Sequence, residues 1–216
     1  MHELSYHHAD LIPIFKCGLC GECKSVEADN SFGINRGCCF YFPKYTLTNI
    51  RYLAGHDPEF LEKLRLLPDT IIKDYDLMVQ GDLDLDGLQA VMNSENEGTS
   101  DNGPAERFDP ALRFRKCRFI TEQGCSIQFN QRPHPCNLYL CRSVIENCGA
   151  AYRPFARERK DYFGFMQYSD QVLKEALQER NLTLRSDFSG AVTVLLETYL
   201  DSFDFAELNS INFHAK

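Results

Sequence analysis

The chain has 216 residues, 44% of them hydrophobic and 25% charged, which is enough to bury an ordinary apolar core and argues against global disorder. Its 31 acidic residues against 23 Lys and Arg give a formal net charge of −8, which excludes the clustered basic surface that phosphate backbones require, so no nucleic-acid partner is expected. No apolar run approaches the roughly 18 residues of a membrane span, and the start, Met1-His-Glu-Leu-Ser-Tyr-His-His-Ala-Asp10, lacks a basic region followed by an apolar one; the reading is a cytoplasmic protein with no membrane partner.

In chain order, the first periodic segment opens near Thr48, which can cap a helix carrying Ile50 and Leu53. Asp57-Pro58-Glu59 is a stronger start, with Asp at the cap and Pro at the first helical position. Phe60, Leu61, Leu64 and Leu67 follow at helical spacing and predict a helix over about 58–66. Residues 69–80 mix a short β-branched apolar run with acids and are compatible with strand or helix. An acidic, polar insertion over about 81–109 is expected to be an exposed loop, least structured from Ser94 to Pro104. Asp82, Asp84, Asp86 and Gly87 resemble the start of a calcium loop, but position 93 is Asn where that loop needs Glu.

A helical C-terminal part is expected over about 165–216. Ser169 or Asp170 can cap a helix through Val172, Leu173, Ala176 and Leu177. Ser189 can open a second, with Val192, Leu195, Leu196, Tyr199, Leu200 and Phe203 at intervals of three and four. The whole reads as one domain over 1–216, α+β and mainly α, with irregular cysteine-rich loops packed against helices and little sheet.

Ten cysteines without an export signal point to metal or redox chemistry rather than disulfides, because the cytosol keeps thiols reduced. They fall in two blocks. Cys17, Cys20, Cys23, Cys38 and Cys39 form the first, and Cys117, Cys125, Cys136, Cys141 and Cys148 the second, with none between residues 40 and 116. Two half-sites joined by folding are implied. Cys17-Gly-Leu-Cys20-Gly-Glu-Cys23 is the firmest signal, since two-residue gaps with glycines let a tight loop aim successive sulfurs at one centre. Glu27 stands where a bacterial ferredoxin places its next cysteine, so that motif is incomplete. Cys148, and less firmly Cys141, read as small core hydrophobes. His134, between two prolines, reads as a rigid loop residue, and His7-His8 as solvated. Arg132 is equally suited to binding a substrate carboxylate and to pinning its own loop.

These segments resemble the YkgJ-type cysteine-cluster family of zinc- or iron-chelating domains, to which the flagellin lysine N-methylases belong. That family shows a C-x2-C-G-x-C-C opening, then C-x-F-L, C-x-I-Y and R-P-x-x-C-R. Cys17, Cys20, Gly21 and Cys23 match the opening, and Cys117, Phe119 and Ile120 the second segment. Cys125 and Ile127 match the third, and Arg132, Pro133 and Cys136 the last. The resemblance covers about 15–55 and 115–142. Lys24, Gln128 and Asn137 depart from it, and Cys38-Cys39 supplies thiols that can stand in at the first departure.

The candidate metal ligands are therefore Cys17, Cys20, Cys23, Cys38, Cys39, Cys117, Cys125 and Cys136. Four thiolates suffice for one tetrahedral zinc or one [4Fe–4S] cluster, so the surplus implies two centres or spare thiols. All-thiolate ligation suits both metals, and the resemblance to methylases implies iron. The leading expectation is an iron–sulfur protein with a redox or maturation role, acting on a protein partner or substrate. The resemblance also implies an S-adenosylmethionine-dependent protein lysine methyltransferase, although no glycine-rich strand-to-helix loop is visible. A zinc-stapled, non-catalytic interaction module is the third reading.

Overall fold

The computed structural model of the protein describes residues 1–9, 11–18, 42–95, 114–121 and 124–214. Within them the chain is mainly helical, with strands in four small sheets, as the sequence implies. Strands β1 (His2–Ala9) and β2 (Ile12–Cys17) form an antiparallel hairpin, and β10 (Ile211–Phe213) adds to the free edge of β1. β3 (Lys44–Thr46), β4 (Thr70–Ile72) and β5 (Asp76–Val79) make a second antiparallel sheet in the order β3-β5-β4. Two ribbons follow: β6 (Asp82–Leu83) with β7 (Arg115–Lys116), and β8 (Ile120–Thr121) with β9 (Gly124–Cys125).

The helices are α1 (Leu47–His56), α2 (Pro58–Leu66), α3 (Leu85–Glu95), α4 (His134–Leu138), α5 (Arg142–Cys148), α6 (Arg153–Glu179) and α7 (Phe188–Glu197). Asp57 caps α2 by accepting from the Phe60 amide at 3.0 Å, with Pro58 at the first position as the sequence demands. α1 starts two residues earlier than Thr48 suggests: Asn49 Oδ1 accepts from both the amide and the hydroxyl of Thr46.

Among the described residues three apolar clusters make the core, two large ones and a small one of Cys117 and Ile120 with Phe119. The first gathers Ile50, Leu64, Leu77, Leu173, Leu177 and Leu195 from α1, α2, β5, α6 and α7. The second joins Leu4, Phe15, Val144, Phe155, Tyr162 and Met166 from the β1–β2 hairpin, α5 and α6. α6 serves both. Its buried residues Phe155, Tyr162, Met166, Leu173 and Leu177 recur at multiples of three, four or seven, one stripe along 27 residues or about 40 Å of helix. Polar side chains on the same helix bind separate segments. Glu158, buried, accepts from the Tyr6 hydroxyl and the Ala206 amide. Arg159 Nε donates to Leu138 O, Tyr162 Oη to Leu11 O, and Asp170 accepts from the amide and hydroxyl of Thr48, both at 2.8 Å.

Several expectations need correction. The acidic stretch over 81–109 is not a loop throughout: β6 and α3 occupy residues 82–83 and 85–95, and residues 96–113 lie outside the described residues. Asp84 explains the start of α3, since its carboxylate accepts from the Gly87 amide at 3.0 Å as a helix cap does. Residues 69–80 form the β4–β5 hairpin. Ser169 and Asp170 lie inside α6, which begins at Arg153 because Pro154 fits a first turn while the charged run after it hides the apolar stripe. α7 is capped by Asp187, not Ser189, and ends at Glu197. Beyond it Phe203 and Phe205 point with a period of two onto Tyr162, so the tail is extended and returns to β1 as β10. Among the described residues no helix is long and apolar enough to cross a membrane.

Burial raises the Asp170 carboxyl above the ordinary carboxylate range, against the opposing hydrogen bonds from Thr48 and Thr46. A folded-state pKa above the unfolded one means that this group's contribution favours folding least when it is ionised, and wild-type stability falls as pH rises through that window. Asp170→Asn keeps an acceptor oxygen for Thr48 without the charge. Its unfolding free energy relative to wild type is expected to shift in the variant's favour between acid and neutral pH; urea denaturation at a series of pH values measures it, and a pH-independent difference contradicts it.

Candidate metal centre

The second cysteine block is built on a turn, a ribbon and a short helix. β7 runs into Cys117, whose carbonyl accepts from the Ile120 amide at 3.1 Å, turning the chain into β8. β8 and β9 then pair so that Ile120 faces Cys125, and the Ser126 amide donates to Phe119 O. A 3-10 turn (Phe129–Gln131) leads through Pro133 into α4, where the Cys136 amide bonds Pro133 O at 2.9 Å.

Between Cys125 and α4 the backbone has little regular structure, so side chains supply its hydrogen bonds. Arg132 Nε donates to Ile127 O at 2.8 Å and Nη2 to Cys125 O at 3.3 Å, while its guanidinium lies 4.1 Å over the Phe129 ring. Asn137 Nδ2 donates to Phe129 O, and Gln131 Nε2 to the Asp57 carboxylate that caps α2. Of its two sequence readings, Arg132 therefore takes the loop-pinning one. His134 is buried, and burial pushes its pKa down to about 4. Its Nδ1 stands 3.0 Å from Asn49 Oδ1, which only accepts, so Nδ1 carries the proton and the neutral ring anchors α4 to α1. That is the structural role expected of it. His7 and His8 are exposed, with His8 stacked on Phe205.

Tyr45 of β3 links the three thiols. The residue is fully buried, and among the described residues its hydroxyl has no hydrogen-bond partner. Burial first, and then the negative fields of Cys136, Cys125 and Cys117, hold that hydroxyl well above the ordinary phenol range, with Arg132 pulling the other way. Three of the eight predicted ligands thus act electrostatically on one phenol. Cys117 is 2% exposed, and Cys125 and Cys136 are half-buried. They do not by themselves form a closed coordination sphere: among the described residues no three His, Cys, Asp or Glu side chains are placed to hold one ion.

Cys17 is placed differently. It ends β2 opposite Leu4 and lies with Cys141 and Cys148 in the second apolar cluster. Cys148, buried as its reading as a core residue requires, has its thiol pKa raised by that burial and then by the neighbouring charge of Cys17. The two thiol groups sit on adjoining elements, because α4, which carries Cys136, packs on β2. Cys20, Cys23, Cys38 and Cys39 lie outside the described residues. Sequence reasoning missed Tyr45, for which a short strand offers no motif, and missed Cys148 as the neighbour of Cys17. Comparison with known protein families, curated proteins and solved structures finds no match to this chain.

The Arg132 pins make a prediction. Arg132→Ala leaves the carbonyls of Cys125 and Ile127 without their donor and is expected to lower unfolding free energy by about 1–3 kcal/mol, read from urea midpoints. Arg132→Lys recovers little of that loss, because a point ammonium cannot bridge two carbonyls and stack on Phe129 at once. Full recovery by lysine would assign the effect to charge instead.

Proposed function

We propose that the chain binds a metal through cysteine thiolates, with Cys117, Cys125 and Cys136 as one half-site and thiols of the first block completing it, and that the group bound is an iron–sulfur cluster serving a redox or maturation role. The carrying observation is the buried Tyr45 hydroxyl, unpartnered among the described residues and within the fields of those three thiols. A buried hydroxyl without an acceptor is costly, and a metal-bound thiolate or cluster sulfide is an acceptor of the right charge. The donor set fits the group, since soft thiolates select zinc and iron–sulfur clusters.

The ends of the first block support the same reading. Cys20 lies two residues after Gly18, whose amide continues the β1–β2 pairing by donating to Glu3 O, and Cys39 three residues before Phe42, itself three before Tyr45. When bound, the cluster would supply one-electron chemistry. The chain's own residues would hold its ligands: Arg132 and Asn137 fix the loop from Cys125 to Cys136, and His134 fixes α4. The zinc staple uses the same thiols, and the two readings separate by spectrum.

Protein purified without oxygen is expected to be brown, with a broad visible absorption that fades on reduction and iron and acid-labile sulfide in comparable amounts. Cys117→Ser, Cys125→Ser and Cys136→Ser should each lose most of that absorption, while Cys148→Ala keeps it. Colourless protein carrying stoichiometric zinc assigns the thiols to a structural site, and protein with neither metal defeats both readings.

A further inference from the structure

Tyr45 and Arg132 also line a cavity of about 300 Å³ between α1, α6 and the segment after α7. Ligand pockets start at roughly this volume, and it holds about ten water-sized groups. Its inner wall is apolar and buried: Ile12, Tyr45, Leu53, Tyr162 and Met166. At its mouth stand exposed residues, among them Leu11, His56, Leu196 and Asp201. Such a lining favours a small molecule with a compact hydrocarbon or aromatic body.

The polar groups set the charge. Two guanidiniums line the cavity, Arg51 and Arg132, and among the described residues neither forms an ion pair with a carboxylate. Arg51 Nε donates to Leu195 O at 2.8 Å and Nη2 to Thr198 O at 3.2 Å. Both acceptors are neutral carbonyls, and they fix the side chain while leaving Nη1 uncommitted among the described residues. Arg132 is held in the same way. A half-buried, immobilised cation at the edge of an apolar cavity is the arrangement that selects a carboxylate, because the ligand's charge is met by a pre-oriented donor. Asp201 at the mouth excludes a second negative charge.

We infer that this cavity is a binding site for a small apolar monocarboxylic acid, its hydrocarbon or aromatic body against Tyr45, Tyr162 and Met166 and its carboxylate on Arg51. The site needs no metal, so its fate is separate from that of the thiol centre.

The test uses 3-phenylpropanoate and its uncharged amide as probes, with the full-length protein followed by calorimetry and amide chemical shifts. The acid is expected to bind saturably and the amide about tenfold more weakly, the margin of one charge-assisted hydrogen bond. Arg51→Gln should bring the acid down to the level of the amide. Because Arg51 also ties α1 to the end of α7, a second variant keeps the test independent of its folding. A side chain begun at Gly55 would meet only Leu196 Cδ2, at an ordinary 3.7 Å, and leucine is a better helix former than glycine. Gly55→Leu therefore fills the mouth without disturbing α1, and is expected to weaken acid and amide alike by about tenfold. The inference is overturned if the wild type shows no saturable binding, if acid and amide bind equally, or if Gly55→Leu leaves binding unchanged.

Discussion

α6 joins the two large apolar clusters and positions α1, the β1–β2 hairpin, α4 and the C-terminal segment. A helix of 27 residues is long enough to enter two apolar clusters, and its one buried stripe does so without a break. Its polar side chains then determine where the remaining elements stop. Asp170 receives the amino end of α1, Tyr162 holds the turn of the β1–β2 hairpin, Glu158 joins that hairpin to the C-terminal segment, and Arg159 takes the last turn of α4. These bonds lie in apolar surroundings, where an unmet partner is costly, so each specifies position more than it adds stability. With α1 and α4 both referred to one helix, His134 can bridge them through Asn49, and Tyr45, in β3 just before α1, comes within the fields of the second-block cysteines.

The loop from Cys125 to Cys136 shows how a segment with almost no ladder hydrogen bonds is made rigid. Arg132 and Asn137 bind three carbonyls within it, and Gln131 ties it to the cap of α2. A metal site needs such support, because a ligand loop free to relax gives up the geometry that selects one ion over another. Asn137 adds its brace from outside the loop, its amide donating to Phe129 O from α4.

How much of this was legible follows from the range of each signal. Asp57-Pro58 was readable because capping is local: the acceptor, the fixed φ and the first turn are all within four residues. The predominance of helix was readable from periodicity. The amino half of α6 was not, since Arg153 to Lys160 is densely charged and its stripe is completed only by Phe155, Tyr162 and Met166 facing a hairpin that the sequence does not announce. The tail after α7 misled for the opposite reason: Leu195, Leu196, Tyr199, Leu200 and Phe203 have helical intervals, yet Phe203 and Phe205 alternate against Tyr162 and pull the chain straight. At the candidate centre, thiol identity and spacing are sequence facts, whereas among the described residues no three such side chains are placed to hold one ion. The meeting of Cys17 with Cys148 depends on β2 and α5 joining one apolar cluster, a long-range packing result that no spacing rule contains.

Tyr45 and Arg132 belong at once to the wall of the cavity and to the surroundings of the thiols, and this divides the electrostatic work between the two arginines. Arg132 has two donors committed to the backbone of the cysteine loop, and its charge opposes the negative field that the phenol feels. It is poorly placed to discriminate among ligands in the cavity. Arg51, anchored to the far wall at Leu195 and Thr198, meets no thiol among the described residues, so selectivity for an anion falls to it. The separation also limits how the sites can influence each other. A change of charge at the thiols reaches the cavity through Tyr45, whose ring is immobile in the core, and thus as a field rather than as a movement of the wall.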